Sequence, residues 1–205
     1  MSTHIPSLST LAMFATVVIG GGSSCAPVEH DEVFVIDEPV ERVVINVQSG
    51  DLVLVETDTE EIYVERRVRG WKGSLQLETR TEDGVLTLDA SCLGPLSCRV
   101  DSRIELPPGL EVSVVLGDGH VELDGLSGVV DLSLRSGEVL GTDLRSPELA
   151  LQVASGPVTL SFAEAIDRLS LAMGSGDVSL ELPEGMDESS VQARIARGEL
   201  LIRRR

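Results

Sequence analysis

Three cysteines, three histidines and an excess of carboxylates are the groups in this chain that could do chemistry. Nucleophilic catalysis needs a base held beside a serine or cysteine, and past the first segment only His30 and His120 can serve. His30 lies close to that segment, and His120 follows Gly119 in a turn, where a solvated imidazole is the simpler reading. Asp118, His120, Glu122 and Asp124 alternate, so they share one strand face, but alternation alone fixes no coordination sphere. Calcium β-rolls repeat every nine residues or so. Here the period is about twice that, and the residue after each repeated glycine varies (Asp51, His120, Glu138, Pro157, Asp177, Glu199), which gives no regular ligand ladder. Carboxylates paired on adjacent coils would suit a β-helical carbohydrate-active enzyme. The aromatic residues number five (Phe14, Phe34, Tyr63, Trp71, Phe162), too few for a sugar-stacking floor. The sequence assigns no catalytic residue, no metal ligand and no cofactor.

The cysteines speak to compartment instead. Cys92 and Cys98 flank Leu93-Gly94-Pro95-Leu96-Ser97, a Gly-Pro turn that can bring the two sulfurs together under oxidising conditions. A redox or zinc pair is the alternative, and it lacks both the two-residue gap and a second pair of ligands. Cys25 is the odd one. Leu11 to Ile19 form an apolar run followed by Gly20-Gly21-Gly22-Ser23-Ser24-Cys25, all ahead of the first charged side chain, Glu29, which is the layout of an export signal. The run is about half of the ~20 residues that a spanning helix needs. Ser23-Ser24-Cys25 resembles the lipobox of bacterial lipoproteins, although Gly22 stands where leucine is usual. That resemblance implies cleavage before Cys25, lipidation of its sulfur and a membrane anchor, and it leaves Cys92 and Cys98 as an even pair. The expected organisation is a signal peptide over 1–24, a lipidated cysteine and tether over 25–31, and one domain over 32–205.

What positions these groups is a chain of short strands. Apolar and polar residues alternate in Val43–Val47, Leu52–Val55, Ile62–Arg66, Leu75–Leu77, Leu86–Leu88, Val130–Arg135, Leu149–Val153, Val158–Phe162 and Val178–Leu182, the signature of half-buried strands. The residues from Phe162 to Asp167 read as a loop. A glycine-centred turn precedes strand after strand, as Ser49-Gly50-Asp51, Asp118-Gly119-His120, Ser136-Gly137-Glu138, Ser155-Gly156-Pro157, Ser175-Gly176-Asp177 and Arg197-Gly198-Glu199. From Gly119 onward these glycines are spaced by 18, 19, 20 and 22 residues. Each interval holds two strands and two turns, so a unit alone exposes its apolar face and must stack on its neighbours. A recurrent glycine is expected where φ is positive or where stacked backbones approach closely. The expectation is an all-β fold, a β-solenoid or a flattened two-sheet stack with repeats of roughly 20 residues, whether the coils wind in parallel or as antiparallel hairpins.

Ser49-Gly50-Asp51-Leu52, then Cys98-Arg99-Val100 leading through Ile104-Glu105-Leu106-Pro107-Pro108-Gly109-Leu110 into Val112–Leu116, then the later turns, form an ordered set. In that order they resemble the bacterial putative-adhesin domain of unknown function, over roughly residues 30 to 205. The resemblance implies a non-enzymatic β-repeat domain in the cell envelope and supplies no catalytic residues. With 34 acidic against 16 basic residues the formal charge is −18, which excludes a nucleic-acid binder of the usual electrostatic kind. The expected function is a lipid-anchored envelope protein presenting its surface for adhesion or structural contact with polysaccharide or protein, outer membrane or periplasm favoured. The rival readings are an envelope-stress sensor that binds cationic peptides on its acidic surface, and the carbohydrate-active enzyme above. Residues 194 to 205 reverse the charge, with Arg194, Arg197, Arg203, Arg204 and Arg205 against Glu199. That tip could meet anionic lipid or phosphate, or simply cap and solubilise the last strand edge.

Overall fold

The computed structural model describes residues 27–71, 73–93, 98–186 and 188–204. The expected signal peptide, Cys25 and the Gly94-Pro95 turn lie outside the described residues. The described chain is all-β, with fifteen strands in one mixed, open hydrogen-bonded network. They are β1 (Pro27–Ile36), β2 (Arg42–Ser49), β3 (Leu52–Glu56), β4 (Ile62–Trp71), β5 (Leu75–Glu82), β6 (Val85–Cys92), β7 (Arg99–Leu106), β8 (Glu111–Asp124), β9 (Val130–Leu144), β10 (Glu148–Ser155), β11 (Val158–Phe162), β12 (Arg168–Ser175), β13 (Val178–Leu182), β14 (Val191–Arg197) and β15 (Leu200–Arg204). A single 3₁₀ turn at Glu188–Ser190 is the helical exception among the described residues.

Two ladders organise the network. The first runs β5–β6–β2–β8–β9–β10–β12–β14 and the second β1–β4–β7–β3–β8–β9–β11–β13–β15. β8 and β9 belong to both, because each is long enough to bend at its glycine and carry on into the second ladder. From β6 and β7 onward every pairing is parallel, and the antiparallel strands β5, β4 and β1 lie beyond them at one end. The repeated units are therefore parallel coils, one strand in each ladder. Stack order departs from chain order once: β6 and β7 stack outside β2 and β3, while β8 returns to their other side.

In-register stacking puts like on like. Leu86, Val43, Val112, Val130, Leu149, Leu169 and Val191 form one aliphatic column through the first ladder. Leu52, Val121, Val139, Val158, Val178 and Leu200 form its counterpart in the second. The core between the ladders is thus aliphatic, with Phe162 the one fully buried aromatic among the described residues. Because side chains alternate with period two, a slip of one residue would turn each apolar column to solvent, so burial itself fixes the register.

One expectation is corrected here. The tether read over 25–31 runs into β1, which starts at Pro27 and pairs Pro27 with Trp71 and Asp31 with Arg67. Its acids favour that pairing, since Asp31 accepts from Arg67 Nε at 3.0 Å. The strand is specified by a partner 36 residues away and not by its own sequence.

Candidate functional site

The repeat glycines form a column at the corner where the chain passes from the first ladder to the second. Gly119, Gly137, Gly156, Gly176 and Gly198 have φ between 129° and 151°, a region that side chains rarely enter. A Cβ on Gly137 would lie 1.7 Å from the carbonyl oxygen of Gly119, and one on Gly156 would lie 1.6 Å from that of Gly137. Positive φ and close approach of stacked backbone thus operate together.

Aspartates at this corner staple coil to coil, Asp51 and Asp177 directly after a repeat glycine and Asp101 in the coil beside Asp51. Asp101 Oδ1 accepts the Asp51 N–H at 2.9 Å, Asp51 Oδ1 accepts the His120 N–H at 2.9 Å, and Asp177 Oδ1 accepts the Glu199 N–H at 3.0 Å. Pro157 has no N–H to offer, and the coil that precedes it carries Glu138 in place of an aspartate. The Ser-Gly-Asp signature is therefore an acceptor for a corner amide that the ladders leave unpaired. Arg99 braces the column, with Nη2 at 2.6 Å from Asp51 Oδ2 and Nε at 2.8 Å from Asp101 Oδ1.

Burial pushes the Asp51 carboxyl up, but the His120 amide, Arg99 and the His120 ring together hold it below the ordinary value of 3.8. A carboxyl whose pKa is lower folded than unfolded stabilises the fold above the unfolded value and loses that contribution as pH falls through the folded one. Asp51→Asn keeps an oxygen for the His120 amide and removes the charge facing Arg99. The expected result is a Tm lowered by roughly 2–4 °C at pH 7, the gap from wild type closing below pH 3.8. Thermal melts of both chains across pH 2.5 to 7 (on the order of half-unit steps) would check it.

The outer face of the first ladder is the other feature, and sequence reasoning missed it. Val115, Ser133, Gln152, Ala172 and Arg194 stand in one outward row. Gly117, Arg135, Ala154, Gly174 and Ala196 line the floor beside it, leaving an open trough of about 1110 Å³. A second hollow of about 600 Å³ continues it over β2, β5 and β6 past Asn46, Gln48, Gln76, Glu78, Asp89 and Ser91. The larger part carries Arg135 and Arg194 and no carboxylate, on a chain of net charge −18. Arg135 is held by an ion pair to Asp118. The signal available in the sequence was a run of outward positions filled by Ala or Gly in place of the usual charge.

The other sequence candidates are placed as follows. Cys92 and Cys98 are disulfide-bonded, Cα 5.6 Å apart, and tie β6 to β7 in one coil. His120 presents its ring to Asp51 at 3.3 Å and to Glu138 at 3.4 Å, 65 % exposed on the corner. Asp118 turns to Arg135, and Asp124 accepts from Thr142, so the alternating acids do not converge. Among the described residues no group of three or more His, Cys, Asp or Glu is arranged to hold a metal ion.

Fold and surface together define an all-β protein of stacked two-strand coils with an open outer trough. A solved structure shares the fold. The solved structure of a putative cell adhesion protein from Clostridium sporogenes superposes with a TM-score of 0.53, covering 88 % of this chain and all of its own length at 13 % identity. A putative adhesin from Bacteroides fragilis gives 0.32 at 12 % identity over 82 % of this chain and 96 % of its own. A putative lipid binding protein from Parabacteroides distasonis gives 0.27 at 14 % identity over 86 % and 97 %. At such identities the likeness is one of fold, and the Clostridium structure alone of these three carries it. The resemblance read from the ordered Ser-Gly-Asp turns is met at that level. No family model matches the chain, and no curated protein does.

Proposed function

We propose that this chain is a non-enzymatic envelope protein, anchored through a lipid on Cys25, whose first ladder presents its trough to an envelope polysaccharide. The observation that carries the reading is the larger trough: open, built on paired strands, floored by Ala and Gly, and lined by Ser133, Gln152 and two arginines with no carboxylate, while Glu78 and Asp89 lie in the smaller hollow beyond it. Such a surface suits an extended, partly anionic polymer better than a small substrate, which is ordinarily enclosed. Rigid strands supply the preorganisation that lets modest contacts add up along a chain. The anchor reading draws support from the pairing of Trp71, the one tryptophan of the sequence, with Pro27 at the start of β1. Tryptophan is the side chain favoured at a bilayer interface.

Two measurements test the halves separately. Intact mass of the chain from a bacterial membrane fraction should show an acylated cysteine at the N-terminus, lost in Cys25→Ser; an unmodified exported chain would remove the anchor. Retention of the purified chain on immobilised envelope polysaccharide should be saturable. It should fall at least tenfold, about 1.4 kcal/mol, in the double variant Ala154→Glu, Ala196→Glu, whose positions are exposed and whose Tm should match wild type. Equal retention by that variant would overturn the trough as the contact surface.

A further inference from the structure

The two ends of the stack differ. At one end β15 pairs with β13 on a single side, and its inward residues Leu200 and Ile202, which continue the buried column of Val178 and Leu180, are each 41 % exposed. Outward Leu201 is 48 % exposed beside them. At the other end β1 pairs only with β4 among the described residues, and Val33 and Val35 are 56 % and 48 % exposed. Neither edge has an internal proline or, among the described residues, a covering element, and such an apolar edge is a template for another strand.

We propose that copies of this chain add head to tail, the free edge of β15 in one copy pairing in parallel with the free edge of β1 in the next. Direction permits it. β1 is antiparallel to β4 and β4 to β7, while all pairings from β7 to β15 are parallel, so β1 points the same way as β15. A copy displaced along the stack therefore offers β1 as one more parallel strand. β1 is also the outermost strand at its end, because the second ladder extends beyond β7 by β4 and β1 while the first extends beyond β6 by β5 alone.

Register is set by the side chains. With Leu200 opposite Phe34, inward Ile202 meets inward Ile36, outward Leu201 meets outward Val35, and Arg203 stands opposite Asp37. A shift of one residue would set each inward side chain beside an outward one. Charge selects the same polarity. Residues 27 to 38 hold five carboxylates and no lysine or arginine, whereas residues 194 to 205 hold five arginines and one glutamate. Pairing β15 with a second β15 would bring two arginine-rich ends together, and opposite fields favour the head-to-tail encounter. Such a contact is heterologous, so it repeats into a ring or a fibre. The contact is made by β1 and β15 and calls on no anchor.

Sedimentation velocity on the purified chain carrying Cys25→Ser, in a mild detergent, tests this. Mass should rise with concentration through successive oligomers. Leu201→Asp and Val35→Asp each block one end at an exposed position, so each should keep its melting temperature and stay monomeric to at least tenfold higher concentration. Their equimolar mixture should form a heterodimer and nothing larger, since the one remaining junction sets Asp against Asp. A wild-type monomer at every concentration would overturn the proposal. So would undiminished association of Val35→Asp alone, which would mean a two-fold contact between β15 edges.

Discussion

Gly137→Ala is expected to cost about 4 kcal/mol or more and to lower Tm by roughly 8–16 °C. The new methyl would lie 1.7 Å from the Gly119 carbonyl oxygen, and the residue would be held at φ 144°. Neither problem has a local escape. The obstructing atom is backbone, fixed by the pairing of β8 with β9 on both sides of the corner from Val112–Leu116 to Val121–Asp124. Relief means separating two coils and losing ladder hydrogen bonds along both ladders at once. Gly185→Ala is the internal control, because φ is 81° there and nothing lies within 4 Å of the added carbon. That change should cost only about 1 kcal/mol, the ordinary penalty of a side chain in the left-handed region. Thermal melts of the two variants side by side check the claim. Equal, small losses would mean that the glycine column merely fills space.

The same column shows what was legible in the sequence. Its spacing gave the length of a coil, and alternation gave nine of the fifteen strands, because both are local consequences of a period-two backbone with one buried face. Stack order was not legible. That β6 and β7 lie outside β2 and β3 follows from which apolar columns match over long separations, and Val43 presents an equally good neighbour to Leu86 and to Val112. The parallel sense of the coils was hidden for the same reason. The first residues of β1, Pro27 to Asp31, were read as tether because Glu29 and Asp31 look like a solvated lead-in until the arginines of β4 are set opposite them. The trough escaped notice because it consists of what is missing: Ala154, Ala172 and Ala196 look like weak strand formers, and their meaning appears only when stacking aligns them.

Arg66 was equally invisible, because an arginine in Glu65-Arg66-Arg67 reads as solvated although the alternation through Ile62, Val64 and Val68 sets it on the buried face, and it carries the second large effect. In the fold it is 3 % exposed, on the inward row of β4 with Val64 and Val68. Its Nη1 donates to Thr79 Oγ1 of β5 at 3.2 Å, and its guanidinium carbon stands 5.2 Å from the centre of the Phe34 ring of β1. One side chain thus ties the strands that close this end of the stack. Burial pushes its pKa down, and the carboxylates of Glu32 and Asp89 push back up; a guanidinium stays charged at working pH in any case. Arg66→Ala removes the packing of a long side chain as well as the charge and leaves a cavity under Phe34. The expected cost is about 3 kcal/mol, or roughly 6–12 °C in Tm. Arg66→Met refills most of that volume without a charge to desolvate, and it should fall within about 1 kcal/mol of wild type. Calorimetric melts at pH 5, 7 and 9 (roughly even steps) should give the same order throughout, since the guanidinium keeps its charge across that range. If Arg66→Met is as damaging as Arg66→Ala, the polar contacts to Thr79 and Phe34 hold the end closed and packing does not. If both are harmless, β1 and β5 are kept in place by their own ladders, and the closed end owes nothing to the residue that bridges it.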